Sequence, residues 1–209
     1  MKKPELSTRH ISLRRVVITG LGLVSPLGLG VDRNWKAMLE GKSGITRITK
    51  FDPSAFSSQI AGEVPDFDPL DYMEKKESRK MDPFIQYSIV AAAQAFDDSG
   101  IKREVLEGDR TGVYVGSGIG GIGVIEDQHE ILLTKGPGRV SPFFLISSII
   151  NEASGQISIR YKAQGPNSAT ATACASGTHA VGDSFRIIAL GEADIMLAGG
   201  AEAPITPLG

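Results

Sequence analysis

A single cysteine in 209 residues leaves no partner for an intrachain disulfide. A lone thiol fits a reducing compartment, and its reactivity then needs a local explanation. Charge of one sign is also missing, since the formal net charge is −2 at pH 7. Nucleic acid and anionic membrane therefore gain no global electrostatic attraction. No apolar run reaches the roughly 20 residues of a membrane-spanning helix. The opening stretch, M-K-K-P-E-L-S-T-R-H-I-S-L-R-R, is basic and polar. It lacks the apolar segment of a secretory signal. These absences together predict a cytoplasmic protein, with residues 1–13 as a disordered leader.

What remains is an ordinary globular composition, 41% hydrophobic and 22% charged. At this length a core forms without covalent staples. No linker divides the chain, so 14–209 reads as one domain.

Short β-branched runs alternate with helical periodicity. Arg14 to Thr19 and Thr111 to Gly116 read as buried strands, as do Asn167 to Ala173 and Ala193 to Gly200. Helices are expected over Val31 to Gly41, capped by Asp32, and over Pro83 to Gly100, capped by Asp82 with Pro at its first position. Further helices are expected from about Ile122 to Thr134, from Phe143 to Tyr161 and from Ser176 to Leu190. Ile45 to Pro69, rich in Pro, Asp and Ser, reads as loop with a short hairpin. Alternating strands and helices predict an α/β fold with a largely parallel sheet between helices.

The cysteine sits in S-A-T-A-T-A-C-A-S-G, Ser168 to Gly177. A strand of small and β-branched residues runs into Cys174, and tiny residues then open a helix. Small neighbours permit a sharp bend and leave room for an acyl group beside the sulfur. A helix N-terminus presents unpaired N–H groups and a positive dipole end. Both favour thiolate over thiol, so the expected shift is downward from the free value of about 8.5. Such a thiolate can attack a thioester while neighbouring N–H groups hold the oxyanion. The competing reading is a small buried cysteine that only packs.

T-A-T-A-C-A-S-G-T-H-A, Thr170 to Ala180, resembles the active-site segment of the β-ketoacyl-acyl carrier protein synthases. R-R-V-V-I-T-G-L-G-L-V-S-P-L-G (Arg14 to Gly28) is similar to that family's opening strand and turn. S-R-K-M-D-P-F (Ser78 to Phe84), V-G-S-G-I-G-G (Val115 to Gly121), V-S-P-F-F (Val140 to Phe144) and A-D-I-M-L-A-G-G-A-E-A (Ala193 to Ala203) follow in the family's order. The likeness covers nearly the whole chain after residue 13, and the type II elongating enzymes of bacterial fatty-acid synthesis match best.

The resemblance implies a thiolase-like fold built from two α/β halves, each a mixed sheet flanked by helices. This chain corresponds to the first. It implies a homodimer and a ping-pong acyl transfer to Cys174, followed by decarboxylative condensation with malonyl-carrier protein. No bound cofactor is implied, because phosphopantetheine belongs to the acyl carrier protein. The family's two catalytic histidines and one oxyanion loop fall in a second half, beyond Gly209. Two other readings stay open: a truncated product acting only by binding or dimerisation, and a polyketide-type ketosynthase or thiolase relative.

Of the three histidines, His179 lies five positions past Cys174, about 140° around a helix, and should face away from the sulfur. His10 falls in the leader and His129 on a polar helix, so none is assigned to catalysis. By resemblance Ile119 lines the acyl pocket, and Phe143 shapes it from a partner subunit, against a reading of ordinary core packing. Lys76, Arg79 and Lys80 form a basic cluster, either a solvated face or a dock for an acidic carrier protein. Gly118 to Gly123 formally matches G-x-G-x-x-G, yet no second strand follows it, which argues against a dinucleotide site. No metal site is expected.

Overall fold

The computed structural model describes residues 12–209. Most of the expected leader, residues 1–11, lies outside the described residues, while Ser12 and Leu13 are exposed. An extended stretch leads to a small antiparallel hairpin of β1 (Val24–Ser25) and β2 (Gly28–Leu29), then to α1 (Val31–Leu39). A second antiparallel pair, β3 (Thr46–Arg47) with β4 (Ile60–Ala61), forms inside the Pro- and Asp-rich stretch. The short α2 (Lys75–Ser78) precedes the long α3 (Pro83–Ser99) and the single-turn α4 (Arg103–Leu106). Then come β5 (Thr111–Gly116), α5 (Ile122–Lys135), α6 (Phe144–Ser148) and α7 (Glu152–Tyr161). The short strand β6 (Asn167–Ser168), α8 (Ser176–Ala189) and β7 (Ile195–Gly200) complete the chain.

The main sheet has order β6-β5-β7 and is parallel throughout, with Val113 opposite both Asn167 and Leu197. Antiparallel pairing is confined to the two small hairpins. Side chains alternate along β5 because a strand's period is two. Val113 and Val115 join Phe84, Ile85 and Ile89 of α3 and Ile157 of α7 in the core. Tyr114 points the other way, its hydroxyl donating to Asp183 of α8 at 3.3 Å. Helices therefore cover both faces. Each fully buried Phe or Ile contributes about 1.5–3 kcal/mol, so α3, α7 and β5 form the stable centre. Phe84, Ile85 and Val113 are wholly buried.

α3 carries the expected signals. Asp82 accepts from the Phe84 N–H at 3.1 Å, Pro83 opens the helix, and Gly100 closes it at φ 64°. α1 differs at its start. Gly30, not Asp32, is the capping position, and the buried Asn34 amide donates to the Gly28 and Gly30 carbonyls at 2.9 and 2.7 Å.

Two expectations are overturned. Arg14 to Thr19 is extended but enters no ladder. Other partners take the backbone at and beyond its ends: the Arg14 amide bonds Ala189 O at 2.9 Å, and the Leu21 and Leu23 amides bond Asp98 and Gln94 of α3 at 2.8 and 2.9 Å. The Arg14 guanidinium pairs with Asp194 at 2.6 Å. A cavity of about 430 Å³ separates Val17 and Ile18 from Leu197 and Phe185. The single helix expected over Phe143 to Tyr161 is also broken, at Ile149, whose backbone is extended. Carbonyls of the last α6 turn accept from outside, Ser147 O from the Asp82 amide at 3.3 Å and Ser148 O from the Gly121 amide at 2.9 Å. Tertiary donors thus take carbonyls that a continuing helix would need.

The third strand is shorter than expected, two residues, and becomes an extended lead into the cysteine turn. Among the described residues no helix is long and apolar enough to cross a membrane.

Candidate active site

The cysteine turn is assembled from small hydroxyls. Thr170 is anchored to the sheet because its carbonyl accepts the Ser117 N–H at 3.0 Å. Its hydroxyl donates to Ser176 O at 2.9 Å. The buried Ser176 hydroxyl accepts the Thr172 N–H at 2.9 Å and donates to Ala173 O at 2.7 Å. Between these ties a one-turn 3-10 segment, Ala173–Ala175, runs straight into α8. Ala173 sits at φ 50°, a left-handed conformation that costs an alanine of order 1–2 kcal/mol. The turn is sharp and over-determined.

Two glycine contacts bring this turn to the strand ends. A Cβ on Gly116 would lie 2.6 Å from Ser176 O, and one on Gly200 would lie 2.6 Å from the Gly177 Cα. Only bare backbone permits this closeness. Cys174 is consequently exposed, at the mouth of a hollow of about 520 Å³. Ile119, Gly177, Gly200, Glu202 and Pro204 line it with small and apolar groups. That volume lies within the range of small-molecule sites. Cys174 is thus exposed in this chain, where the packing-only reading expected a buried side chain.

The wall opposite the sulfur is the loop after β5, and one carboxylate organises it. Glu202 accepts from the Ser117 hydroxyl at 2.9 Å, from the Ile119 N–H at 3.1 Å and from the Gly120 N–H at 3.2 Å, and also from the Gly118 N–H. The amides that a phosphate would need are already committed, which removes the dinucleotide reading of Gly118 to Gly123. Asp82 lies behind the same loop. Burial pushes its carboxyl up to about 6, helped by the Glu202 charge and opposed by the Phe84 and Val124 amides and by Lys50.

Ile119 is brought to the cysteine hollow and is half exposed. Phe143 does not line that hollow in its own chain. It sits at the start of α6 beneath Lys80, whose Nζ lies 4.5 Å from the ring centroid. Lys76 and Arg79 are exposed, and Lys80 is half-buried. His179 turns to Thr172 Oγ1 and Asp183, at 3.3 Å each, and is absent from the hollow. His129 is an exposed residue of α5, and His10 lies outside the described residues. No group of three or more potential metal ligands occurs among the described residues.

Sequence reasoning missed Ser176 and Glu202. A lone acid closing the glycine-rich strand A-D-I-M-L-A-G-G-A-E-A was the available signal for the second.

A cysteine on a tight turn between a parallel sheet and a helix, facing a hollow of small residues, marks a thiolase-like domain. The chain belongs to the beta-ketoacyl synthase family, whose N-terminal domain model matches residues 13–209. It is 52% identical over 199 residues to 3-oxoacyl-[acyl-carrier-protein] synthase 2 of Vibrio harveyi, covering 95% of this chain and 48% of that protein. The corresponding synthase 2 of Coxiella burnetii is 52% identical over 196 residues, with 94% and 47% covered. The chain thus spans about half the length of the curated relatives it matches.

Among solved structures, the ishigamide ketosynthase/chain length factor superposes with TM-score 0.85 at 33% identity, over 91% of this chain and 48% of that one. A type II PKS acyl-carrier protein in complex with its ketosynthase bound to the hexaketide, AntDE:AntF, gives 0.82 at 29%, over 94% and 53%.

Proposed function

We propose that this chain supplies the acyl-accepting half of a β-ketoacyl-acyl carrier protein synthase of fatty-acid elongation. The observation that carries the reading is the exposed Cys174 on its fixed turn above the hollow. The Cys174 thiolate attacks the carbonyl of an acyl thioester. A new C–S bond forms to Cys174, the old one breaks, and the carrier leaves as its thiol. The Cys174 backbone N–H supplies part of the oxyanion hole during the tetrahedral stage. Malonyl-carrier protein then loses CO2, and the resulting carbanion attacks the acyl-enzyme carbonyl; a C–C bond forms, the C–S bond to Cys174 breaks, and the thiolate is released.

No described residue lining the hollow is a histidine. In this reading Cys174 is the nucleophile of the transfer step, and condensation draws on groups outside the hollow described.

The partner in this reading is an acidic acyl carrier protein, met by Lys76, Arg79 and Lys80. The synthase working as a cytoplasmic homodimer without a cofactor of its own belongs to the same proposal. The synthase-2 names of relatives near 50% identity favour fatty-acid over polyketide chemistry.

Incubation with an acyl-carrier thioester, followed by intact and peptide mass analysis, should add one acyl mass at Cys174. The addition should vanish in Cys174→Ala. A folded protein with no such adduct would sink the reading.

A further inference from the structure

Resting on the acyl-transfer reading above, we infer that Glu202 is a positioning residue that fixes the wall of the acyl site by clamping the loop from Ser117 to Gly120. The carboxylate comes from the end of β7, more than eighty residues away in sequence, and gathers three consecutive backbone amides and one hydroxyl. The buried Ser117 hydroxyl works as a relay, donating to Glu202 and accepting the Gly120 N–H at 3.1 Å. The next amide, of Gly121, is held by Ser148 O at 2.9 Å. Every amide from Gly118 to Gly121 is thereby engaged.

Glycine-rich backbone has more conformations to lose than any other. S-G-I-G-G would not hold one shape by side-chain packing, since Ile119, its largest residue, is 51% exposed. The clamp supplies the order that the composition lacks. The clamped loop lies close to the nucleophile's turn, because even a Cβ added at Gly118 would come to 3.4 Å of the Ala173 Cα, and any displacement of the loop changes the space beside Cys174. Ile119 and Cys174 face one hollow, and Glu202 sets the distance between them.

The consequence is selectivity by chain length rather than thiol reactivity. Glu202→Gln keeps the shape but turns an amide donor toward backbone donors, and Ser117→Ala removes only the relay. The test uses the protein as its host makes it, with butyryl- and palmitoyl-pantetheine as acyl donors. The long-to-short ratio of Cys174 acylation rates should change about tenfold in Glu202→Gln and about threefold in Ser117→Ala. Alkylation by iodoacetamide, too small to feel the wall, should change less than about twofold. Exchange of the Gly118, Ile119 and Gly120 amides should quicken by about tenfold in Glu202→Gln.

An unchanged ratio in both folded variants, or unchanged amide exchange, overturns the clamp. Wild-type protein that accepts neither thioester overturns the acyl-transfer reading instead, and the amide exchange still decides the clamp. If Glu202→Gln does not fold, the ratio and amide exchange in Ser117→Ala decide.

Discussion

Ser176 carries the geometry of the nucleophile without touching a substrate, because it closes the turn on both sides of Cys174. Ser176→Ala removes the acceptor of the Thr172 amide and one of two donors to the Ala173 carbonyl, which keeps the Ser176 N–H. The expected loss is about 0.5–1.5 kcal/mol, or a few degrees in Tm. Cys174 acylation should fall more than that loss alone explains, measured at a temperature where the variant is fully folded. Full acylation rate in a folded Ser176→Ala would show that the turn holds itself. Asp82 offers a different test. Its folded carboxyl titrates near 6, above the ordinary carboxylate value of about 3.9. The folded state therefore takes up a proton between pH 6 and 4 that the unfolded state does not. Asp82 lowers stability above pH 6, and that cost fades as pH falls, by at most about 3 kcal/mol across the window. Asp82→Asn keeps the cap on Phe84 and should lack this rise, read as urea midpoints from pH 4 to 7. Parallel curves for the two proteins would exclude it. The setting of Cys174 was legible because its composition is local. Ser176 was hidden among other small residues, and Glu202 finds its donors more than eighty positions away.

Among the elements, α2 and the Arg79 and Lys80 that follow it place the basic cluster of the proposed carrier dock. Lys76 and Arg79 are exposed, and neither joins an ion pair among the described residues. Charge reversal of both, Lys76→Glu with Arg79→Glu, should raise KM for an acidic carrier protein about tenfold at low salt and leave kcat nearly unchanged. The difference should shrink as salt is added, and a KM indifferent to both would remove the dock. Lys80 is a separate case, since its ammonium rests on Phe143, a contact worth about 0.5–1 kcal/mol at such a site. Elements with strong local signals were readable in advance. α3 has its proline, its cap and its terminal glycine, and β5 carries Thr111, Val113, Tyr114 and Val115 alongside its glycines. The stretch from Arg14 to Thr19 has equally strong strand composition, yet it joins no ladder: its first amide bonds Ala189 O, and the Leu21 and Leu23 amides just beyond it bond Asp98 and Gln94. The break between α6 and α7 was hidden for the same reason, because the donors for the Ser147 and Ser148 carbonyls lie at Asp82 and Gly121.

At the scale of the whole molecule, the two faces of the sheet are unequally covered. α3 and α7 close one side over a core that includes Phe84, Ile85 and Ile157. α8 alone lies against the other, and its outward stripe leaves Val181 and Phe185 47% and 52% exposed. These two, with Ile188, recur at helical spacing and line the cavity under Val17 and Ile18. Ile18 itself is 77% exposed. Contiguous apolar area of this kind marks a surface that water meets at a cost of about 25 cal/mol per Å². The 209-residue chain should therefore bind a hydrophobic dye and associate as its concentration rises. Val181→Ser with Phe185→Ser should weaken both without slowing the alkylation of Cys174, which lies about two turns away at the other end of the stripe. A chain that sediments as a dye-free monomer at all concentrations would show that the extended Val17–Ile18 segment closes over α8 in solution and shields it.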